Sequence, residues 1–329
     1  MYNYCMGVPK VSVITSVYKS DSFLRTFLEC CLEQTYFEYS QYILNISEAT
    51  HGEKRVLNDM SKFFRGRLRV IHNEKRVGIY QAWNQGLYKS NGELISIWNV
   101  DDLRTNESIE TQVELMKKNK FLSAAGAFTI VSNYGDYAGV EIKVNPYTPA
   151  EFYRSMLHGP FFMFRREVLR KLKGFDEQLD SASDFDFCIR LANMGPVAIT
   201  NENLGYYLNA GTGMSTSKRI EIATETQFIY QRFGVLSKLD PSFLHLTRKW
   251  DLNRIRVLGR NFELENVTQS LDEILKVNDQ ETDFRSWTIR LKKELRRRRL
   301  VTTLFYVKNP LNLYKEVKRK IESATRIVR

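Results

Sequence analysis

Two adjacent carboxylates follow a short apolar run near residue 100. The run Leu94–Trp98 is predicted to form a buried strand, and Asp101 and Asp102 come shortly after it. A strand that ends beside two carboxylates places oxygen ligands for a divalent cation at the edge of a sheet, and a bound cation can hold a diphosphate. The first hypothesis is therefore a divalent-cation site that binds a nucleotide-activated substrate.

The same carboxylates have a second interpretation as a helix cap. Aspartate before a helix often accepts the free N–H groups of the first helical turn. Here Thr105 and Asn106 stand closer to the next helical pattern and are expected to cap that helix. The Asp pair would then be left for another task, although the residues alone leave both interpretations open.

The elements that must position this pair alternate along the first half of the chain. Strands are predicted at 11–17, 42–46, 68–72 and 94–98, with helical patterns between them, and Asp21 and Ser22 are expected to cap the first helix. Alternating strands and helices predict a mostly parallel α/β sheet covered on both faces. Ligands bind at the carboxyl ends of such strands, where Ser16, Asn45 and the Asp pair would converge.

The pattern becomes mixed beyond residue 120. Strands are predicted at 121–132 and 161–164, and helices at 167–172 and 184–194. The segment Asn133–Thr148, rich in Gly, Pro and Tyr, is predicted to be a mobile loop.

Composition is that of an ordinary globular protein of 329 residues. Its four cysteines show no metal-ligand or disulfide spacing, which favours a reducing compartment. No apolar window reaches the length of a membrane span, and the first ten residues lack the pattern of a signal peptide. We therefore expect a cytoplasmic protein.

Positive charge is concentrated at the C-terminal end. Residues 285–329 hold fifteen Lys or Arg against three acids, a net charge of +12, while the whole chain carries +11. The first 284 residues are thus close to neutral, which argues against a nucleic-acid-binding surface over the body of the protein. We expect three parts: a catalytic domain over 1–217, a helical extension over 218–284 and a basic amphipathic tail over 285–329.

Several segments together resemble the family-2 glycosyltransferases. They are Val11–Tyr18, Asn73–Asn84, Asn99–Asp102, Gly174–Glu177 and Ser183–Leu191, in the order of that family and spanning roughly residues 9–217. Each motif is weak alone, but five in order are a strong signal. The resemblance implies the GT-A fold, a Rossmann-like, mostly parallel sheet flanked by helices. It also implies inverting transfer of a sugar from a nucleoside diphosphate, usually UDP, with Mg²⁺ or Mn²⁺.

The resemblance assigns roles to the carboxylates. Asp102 would ligate the metal, and Asp101 would contact the metal or the donor ribose. Asp184 matches the catalytic base that takes the proton of the acceptor hydroxyl, although an ordinary helix cap is its alternative interpretation. Asp186 is expected to be structural or to face the acceptor.

Further positions of the family motifs would contact the donor. They are Thr15 and Val17 on the first strand, Asn45 on the second, and Gly78 and Tyr80 where a helix begins after the third. A glycine there lets the backbone approach a phosphate at the helix N-terminus. Trp83 and Asn84 are expected in the core or behind the site. His158 matches a segment that lines the sugar pocket, but a lone histidine before a turn is more often structural.

The sequence departs from the family pattern at two places. The family commonly has an aspartate at the end of the second strand that binds uracil, and Asn45 stands near that position, so UDP, GDP and dTDP stay open as donors. The segment Tyr206–Ser215 lacks the His or Arg that some relatives present to the metal or the diphosphate. Thr212–Ser215 is expected to form a flexible loop over the donor.

The basic tail predicts a surface for a partner. Its arginines, Arg296–Arg299, precede apolar residues at helical spacing, a pattern typical of a helix lying on an anionic membrane. Packing on the protein's own domain or on another protein is the alternative. Nucleic acid is not expected, because no aromatic residues are interleaved with the arginines.

These observations predict a metal-dependent glycosyltransferase. It would add a sugar to a surface polysaccharide or its lipid-linked precursor, as a peripheral protein on the cytoplasmic face of a membrane. A non-catalytic module that binds a nucleotide sugar or a glycan is the competing class. A nucleotidyltransferase would be expected to carry a Gly-rich basic loop near the first strand, which residues 11–22 lack.

Overall fold

A computed structural model describes residues 8–117, 121–144 and 158–210, with residues 222, 225, 226, 228, 229, 232, 254–257 and 260–263 of the later chain. Strands β1 to β11 span, in order, Val11–Val17, Ser40–Ser47, Leu68–Asn73, Leu94–Ile97, Leu103–Arg104, Ser123–Val131, Val140–Ile142, Met163–Arg165, Val197–Leu208, Arg254–Val257 and Arg260–Glu263. Helices α1 to α6 span Leu24–Leu32, His51–Met60, Ile79–Lys89, Ser108–Met116, Leu169–Leu172 and Ser183–Ala192.

The first half of the chain forms the parallel part of one sheet. Its strands lie in the order β3-β2-β1-β4, all parallel, with α1, α2 and α3 as crossovers. β1, β2 and β4 are almost entirely buried, as strands of a parallel sheet covered on both faces must be. Their carboxyl ends lie along one edge, where Ser16 is opposite Asn45 in the ladder. The predicted convergence of strand ends is confirmed.

The second half extends the same sheet with mixed pairing. The order continues as β8-β6-β9-β5, with β7 on the side of β6. β8 pairs antiparallel with both β4 and β6, whereas β6 and β9 are parallel. β9 also pairs antiparallel with the two-residue β5, directly after the Asp pair. The long strand β9 therefore brings the later chain back to the end of β4.

Two predicted helix caps are wrong. The N-cap of α1 is Phe23, without a side-chain bond, and the Asp21 carboxylate instead accepts a hydrogen bond of 2.6 Å from the hydroxyl of Thr50. Likewise, α4 begins after Glu107 without a side-chain cap, and the Thr105 hydroxyl donates to the carbonyl of Asn203 on β9. Both side chains connect different elements, and such contacts override a local capping preference.

Aromatic side chains fill two parts of the core. Phe27 of α1 packs edge-on against Trp98 just after β4, with 5.0 Å between ring centroids. Phe175 contacts Trp83 of α3 at 5.1 Å and Phe187 of α6 at 4.5 Å. Through these contacts Phe175 joins α3 to α6, the helix that carries Asp184.

The C-terminal extension is described only in part. Residues 222, 225, 226, 228, 229 and 232 are helical, whereas β10 and β11 form an antiparallel pair within the segment expected to be helical. The described part of the extension is thus not helical throughout. Thr212–Ser215 and the tail 285–329 lie outside the described residues. Within the described part of the chain, no helix is both long and apolar enough to cross a membrane.

Candidate functional site

The Asp pair lies in the short connection between β4 and β5. Asp102 is 1% exposed, and both of its carboxylate oxygens accept hydrogen bonds: Oδ1 from the backbone N–H of Leu208 at 3.0 Å and Oδ2 from the Asn99 amide at 3.1 Å. The backbone carbonyl of Asp102 accepts from the Trp98 indole at 2.9 Å. These bonds fix Asp102 between the end of β4 and the end of β9.

Burial and the neighbouring charge of Asp101 destabilise the charged form of Asp102. Burial raises the pKa of Asp101. Burial and then the negative charge of Asp101 raise the pKa of Asp102 well above its usual range, against the opposing hydrogen bonds from Leu208 and Asn99. A cation beside the pair would remove this repulsion and keep both groups ionised.

The donor set fits a divalent cation that is shared with a substrate. Among the described residues, no group of three or more His, Cys, Asp or Glu side chains could hold a metal. Mg²⁺ and similar ions, however, are commonly bound by one or two carboxylates together with substrate phosphates. Asp101 and Asp102 would form such a pair if the Asp102 carboxylate, which is 1% exposed and hydrogen-bonded at both oxygens, opened toward the ion. The remaining ligands would have to come from phosphate and water.

A buried arginine that sequence reasoning missed lies behind the pair. The guanidinium of Arg104 donates to the side chains of Ser96, Ser108 and Gln112 at 2.8–2.9 Å. Burial lowers its pKa to about 10, and the arginine therefore stays charged at neutral pH. The sequence held a signal: polar Ser108 and Gln112 are one helical turn apart on the buried face of α4. Arg104 ties β4 to α4 on either side of the Asp102 connection.

The N-terminus of α3 provides a place for an anion. Its N-cap is Gly78, with no side-chain cap, and a Cβ built on Gly78 would meet no atom within 4 Å. There is therefore open space at Gly78, beside the positive end of the helix dipole, and the exposed Lys75 and Arg76 come just before it in the chain. The guanidinium of Arg76 lies 4.4 Å from the ring centroid of Tyr18.

Tyr80 connects this helix to the predicted base. Its hydroxyl donates to Oδ1 of Asp184 at 3.0 Å, and the same oxygen accepts from the N–H of Phe185 at 2.9 Å. No described residue donates to Oδ2. Burial is the main reason that the pKa of Asp184 is raised, and burial, followed by the charge of Asp184, raises the pKa of Tyr80. Tyr80 thus remains a donor, and Asp184 keeps one oxygen for an incoming proton.

A second side chain of α3 supports the same junction. Asn84 donates to the backbone carbonyl of Phe175 at 2.8 Å and accepts from its N–H at 2.9 Å. The expectation that Trp83 and Asn84 lie in the core or behind the site agrees with these bonds and with the 3% exposure of Trp83.

The first strand presents different side chains at its carboxyl end from those expected. Thr15 and Val17 are each 1% exposed, so their side chains lie in the core, while the alternating Ser16 and Tyr18 are half-buried. Tyr18 is therefore the accessible aromatic side chain at the end of β1, and the period-two alternation of a strand could have identified it.

Both the nitrogen and the oxygen of the Asn45 side-chain amide already form hydrogen bonds. Its nitrogen donates to Gln85 of α3 at 2.5 Å, and its oxygen accepts from Asn73 of β3 at 2.6 Å. It is 1% exposed. A base contact by Asn45 would require one of these bonds to open.

Two other polar candidates have structural contacts. Asp186 is fully buried and accepts from Arg190 at 2.8 Å and from Arg232 at 2.7 Å, as expected for a structural role. His158 is buried with Nε2 3.1 Å from the Ser123 hydroxyl, and burial lowers its pKa to about 3. It is therefore neutral near pH 7 and joins its turn to β6.

Comparison with known proteins identifies relatives of this arrangement. Residues 12–173 match the model of glycosyl transferase family 2. A Rickettsia felis protein described as an uncharacterized glycosyltransferase is 24% identical over 204 residues, which are 59% of this chain and 33% of that protein. This chain thus matches only a third of the relative's length.

Solved structures share the fold. S. aureus TarS 1-349 in complex with UDP-GlcNAc superposes with a TM-score of 0.54 and 17% identity over 63% of this chain and 61% of that one. Mannosyltransferase PcManGT from Pyrobaculum calidifontis, in complex with GDP-Man and Mn²⁺, superposes with a TM-score of 0.51 and 18% identity over 86% and 84%. The fold implied by the sequence motifs, a GT-A sheet with flanking helices, is confirmed.

Proposed function

Since this chain carries a glycosyl transferase family 2 domain over residues 12–173, we propose that it is an inverting glycosyltransferase. The donor is a nucleoside diphosphate sugar, and the acceptor is a glycan or a lipid-linked glycan of a surface polysaccharide. The hydrogen bond between Tyr80 and Asp184 carries the proposal, because it joins the uncapped N-terminal turn of α3 to a half-buried carboxylate with a remaining oxygen. A transferase needs its base beside the activated sugar.

The donor would bind along the carboxyl edge of the sheet. The uncapped N-terminus of α3, with Gly78, favours a phosphate group, and Arg76 adds positive charge next to it. Asp101 and Asp102 would hold Mg²⁺ or Mn²⁺ against the diphosphate. The cation, when bound, supplies positive charge that stabilises the leaving nucleoside diphosphate. The mannosyltransferase from Pyrobaculum calidifontis, which was solved with GDP-Man and Mn²⁺, supports this assignment.

Asp184 would act as the general base. Its Oδ2 takes the proton of the acceptor hydroxyl while that oxygen attacks the anomeric carbon from the face opposite the phosphate. The bond between the anomeric carbon and the phosphate oxygen breaks, and its electron pair leaves with the nucleoside diphosphate. A single displacement inverts the configuration at the anomeric carbon. Burial, which raises the pKa of Asp184, makes its carboxylate a stronger base.

Binding and turnover test the two halves of the site separately. Calorimetric titration with UDP, GDP and dTDP, each with and without Mn²⁺, should show metal-dependent binding of one nucleotide. Asp102→Asn should lose that binding, whereas Asp184→Asn should keep it and lose at least a hundred-fold in turnover of the matching sugar nucleotide. Asp59→Asn, on the surface, is the control for loss of a carboxylate.

The outcomes distinguish an enzyme from a binding module. Binding by the wild type without turnover of any donor would favour a non-catalytic module that keeps this fold. Binding that is equal with and without Mn²⁺, and unchanged in Asp102→Asn, would remove the metal from the proposal.

A further inference from the structure

A helical segment beyond the matched region contacts the base-bearing helix at two points. Residues 225 and 232 belong to this segment, and both are charged and buried: Glu225 is 0% exposed and Arg232 is 5% exposed. Phe228 and Ile229, between them, are also fully buried. The spacing i, i+3, i+4, i+7 places all four on one helix face, which packs inward.

Glu225 binds the backbone just before α6. Its Oε1 accepts from the N–H of Asp180 at 2.8 Å, and its Oε2 accepts from the N–H groups of Ser181 at 2.8 Å and Ala182 at 2.9 Å. A fully buried carboxylate is stable only when its oxygens are hydrogen-bonded, and three N–H donors meet that requirement.

These bonds hold the residues that lead into α6, a helix without a side-chain cap. The N-cap residue is Ala182, whose side chain has no acceptor, and no side-chain capping bond is present. The residues that lead into the helix are therefore held by a carboxylate from a segment 43–45 positions later in the chain. Asp184 stands two residues after Ala182, in the first turn of the helix that these bonds precede.

Arg232 holds α6 at a second point, two residues after Asp184. It donates to Oδ1 of Asp186 at 2.7 Å and also to the carboxylate of Asp176. Asp176 directly follows Phe175, whose backbone N–H donates to Asn84. Asp186 in turn accepts from Arg190. The two charged residues of the later segment therefore fix both sides of Asp184 along α6.

We propose that Glu225 is a positioning residue that sets the orientation of Asp184 through the backbone at the start of α6, with Arg232 as its second anchor. This inference rests on the proposed function for its catalytic meaning. The charge of Glu225 also reaches the base: burial is the first cause of the raised pKa of Asp184, and Glu225 adds to it.

Full-length Glu225→Gln tests this role with little change in shape. The amide keeps one acceptor oxygen but places an NH₂ group where the second carboxylate oxygen accepted, so at least one backbone N–H loses its acceptor. Ile229→Val is the matched control, because it trims a buried side chain on the same face without touching these bonds.

Two measurements are needed. Hydrogen exchange of the amides of residues 180–184 should be at least ten-fold faster in Glu225→Gln than in the wild type and unchanged in Ile229→Val. Release of nucleoside diphosphate from UDP-GlcNAc or GDP-mannose, whichever the wild type uses, should fall about ten-fold or more in kcat. The calorimetric affinity for UDP or GDP with Mn²⁺ should stay within about two-fold of the wild-type value, because the donor contacts are left intact.

The outcomes separate the inference from the proposed function. Unchanged amide exchange in Glu225→Gln, or faster exchange with undiminished kcat, would overturn the positioning role. An equal loss of kcat in Ile229→Val would also overturn it, since any loosening of the segment would then suffice. A wild type that releases no nucleoside diphosphate overturns the proposed function instead, and the amide exchange still shows whether Glu225 holds the start of α6.

Discussion

The Asp184 carboxylate is held asymmetrically, and this decides how it would respond to pH. One oxygen accepts from Tyr80 and from the N–H of Phe185, and no described residue donates to the other. Burial raises the pKa of this carboxyl, and the Tyr80 hydrogen bond lowers it. A base works only when deprotonated, so turnover should fall on the acid side at a pH above the usual value for aspartate.

The acid limb of the pH profile is the range in which turnover falls as pH decreases. Tyr80→Phe should move this acid limb to higher pH. The variant loses the bond that favours the charged carboxylate, so the folded enzyme protonates Asp184 at a higher pH. Above the limb, kcat should fall about ten-fold because the carboxylate loses an orienting partner. The profile of kcat from pH 4 to pH 8 measures both effects. Tyr88→Phe, on the exposed face of the same helix, is the control and should match the wild type. An unshifted limb would contradict the base role.

Single residues were predictable where their type is unusual for their place. Two carboxylates after a buried strand signal a site, and Asp101 and Asp102 lie at the expected edge. Asn45 could not be placed by the same reasoning, because its partners Asn73 and Gln85 come from other elements. Sequence spacing does not reveal which neighbours satisfy a buried amide.

One glycine caps helix α3 and another lies within it, and the space around them differs. A Cβ on Gly78 would meet open space, whereas a Cβ on Gly86 would lie 2.5 Å from Cγ2 of Ile14 on β1. Neither residue has a left-handed backbone. Gly86 is thus needed for close packing of helix on strand, and Gly78 leaves room beside the helix terminus.

Gly78→Ala and Gly86→Ala should therefore separate ligand binding from stability. In Gly78→Ala the added methyl group occupies the space proposed for phosphate, so nucleotide affinity should fall about ten-fold while the free energy of unfolding falls by about 1 kcal/mol or less, as expected for a poorer N-cap. In Gly86→Ala the overpacked interface should lower the free energy of unfolding by about 1–3 kcal/mol. Calorimetric titration and urea unfolding provide the two readings. Undisturbed nucleotide binding by Gly78→Ala would place the phosphate elsewhere.

Elements were predicted well where periodicity is strong. The strand Val11–Val17 has the expected limits, and β2, β3 and β4 differ by one or two residues at their ends. Starts of helices were predicted less well, since Asp21 and Thr105 bond across to other elements instead of capping. A capping preference of about 1 kcal/mol is easily exceeded by such contacts.

At the scale of the whole molecule, charge separates the body of the chain from its tail. The body is close to neutral, and residues 285–329 carry a net charge of +12. We propose that the tail attaches the enzyme to an anionic membrane surface on the cytoplasmic side, where a lipid-linked acceptor would be found.

Replacement of Arg296–Arg299 by glutamine in the full-length chain should weaken this attachment. Each basic residue near anionic headgroups contributes about 1 kcal/mol, so the four together should change the partition coefficient by a hundred-fold or more at low salt. Sedimentation with phosphatidylglycerol-containing vesicles measures it. The control neutralises four exposed basic residues of the body, Lys54, Arg55, Lys62 and Arg69. Equal loss in the control, or none in the variant, would dismiss the tail as the anchor.

The fold and the match to the glycosyl transferase family 2 model were predictable because five motifs occur in order along the chain, whereas the segment around Glu225 was not. Its glutamate and arginine have the spacing of an ordinary solvated face, and their partners lie more than forty residues away in the chain. Only packing shows that this face is buried.

The position of Asp184 has a consequence for recombination between related genes. The family match ends at residue 173 and includes the strand ends proposed to bind the donor, whereas the proposed base and both of its proposed anchors lie after that residue. A crossover near residue 173 would pair one ancestor's nucleotide selectivity with another's base, and such hybrids would remain active only if they inherit α6 together with the stretch through residue 232.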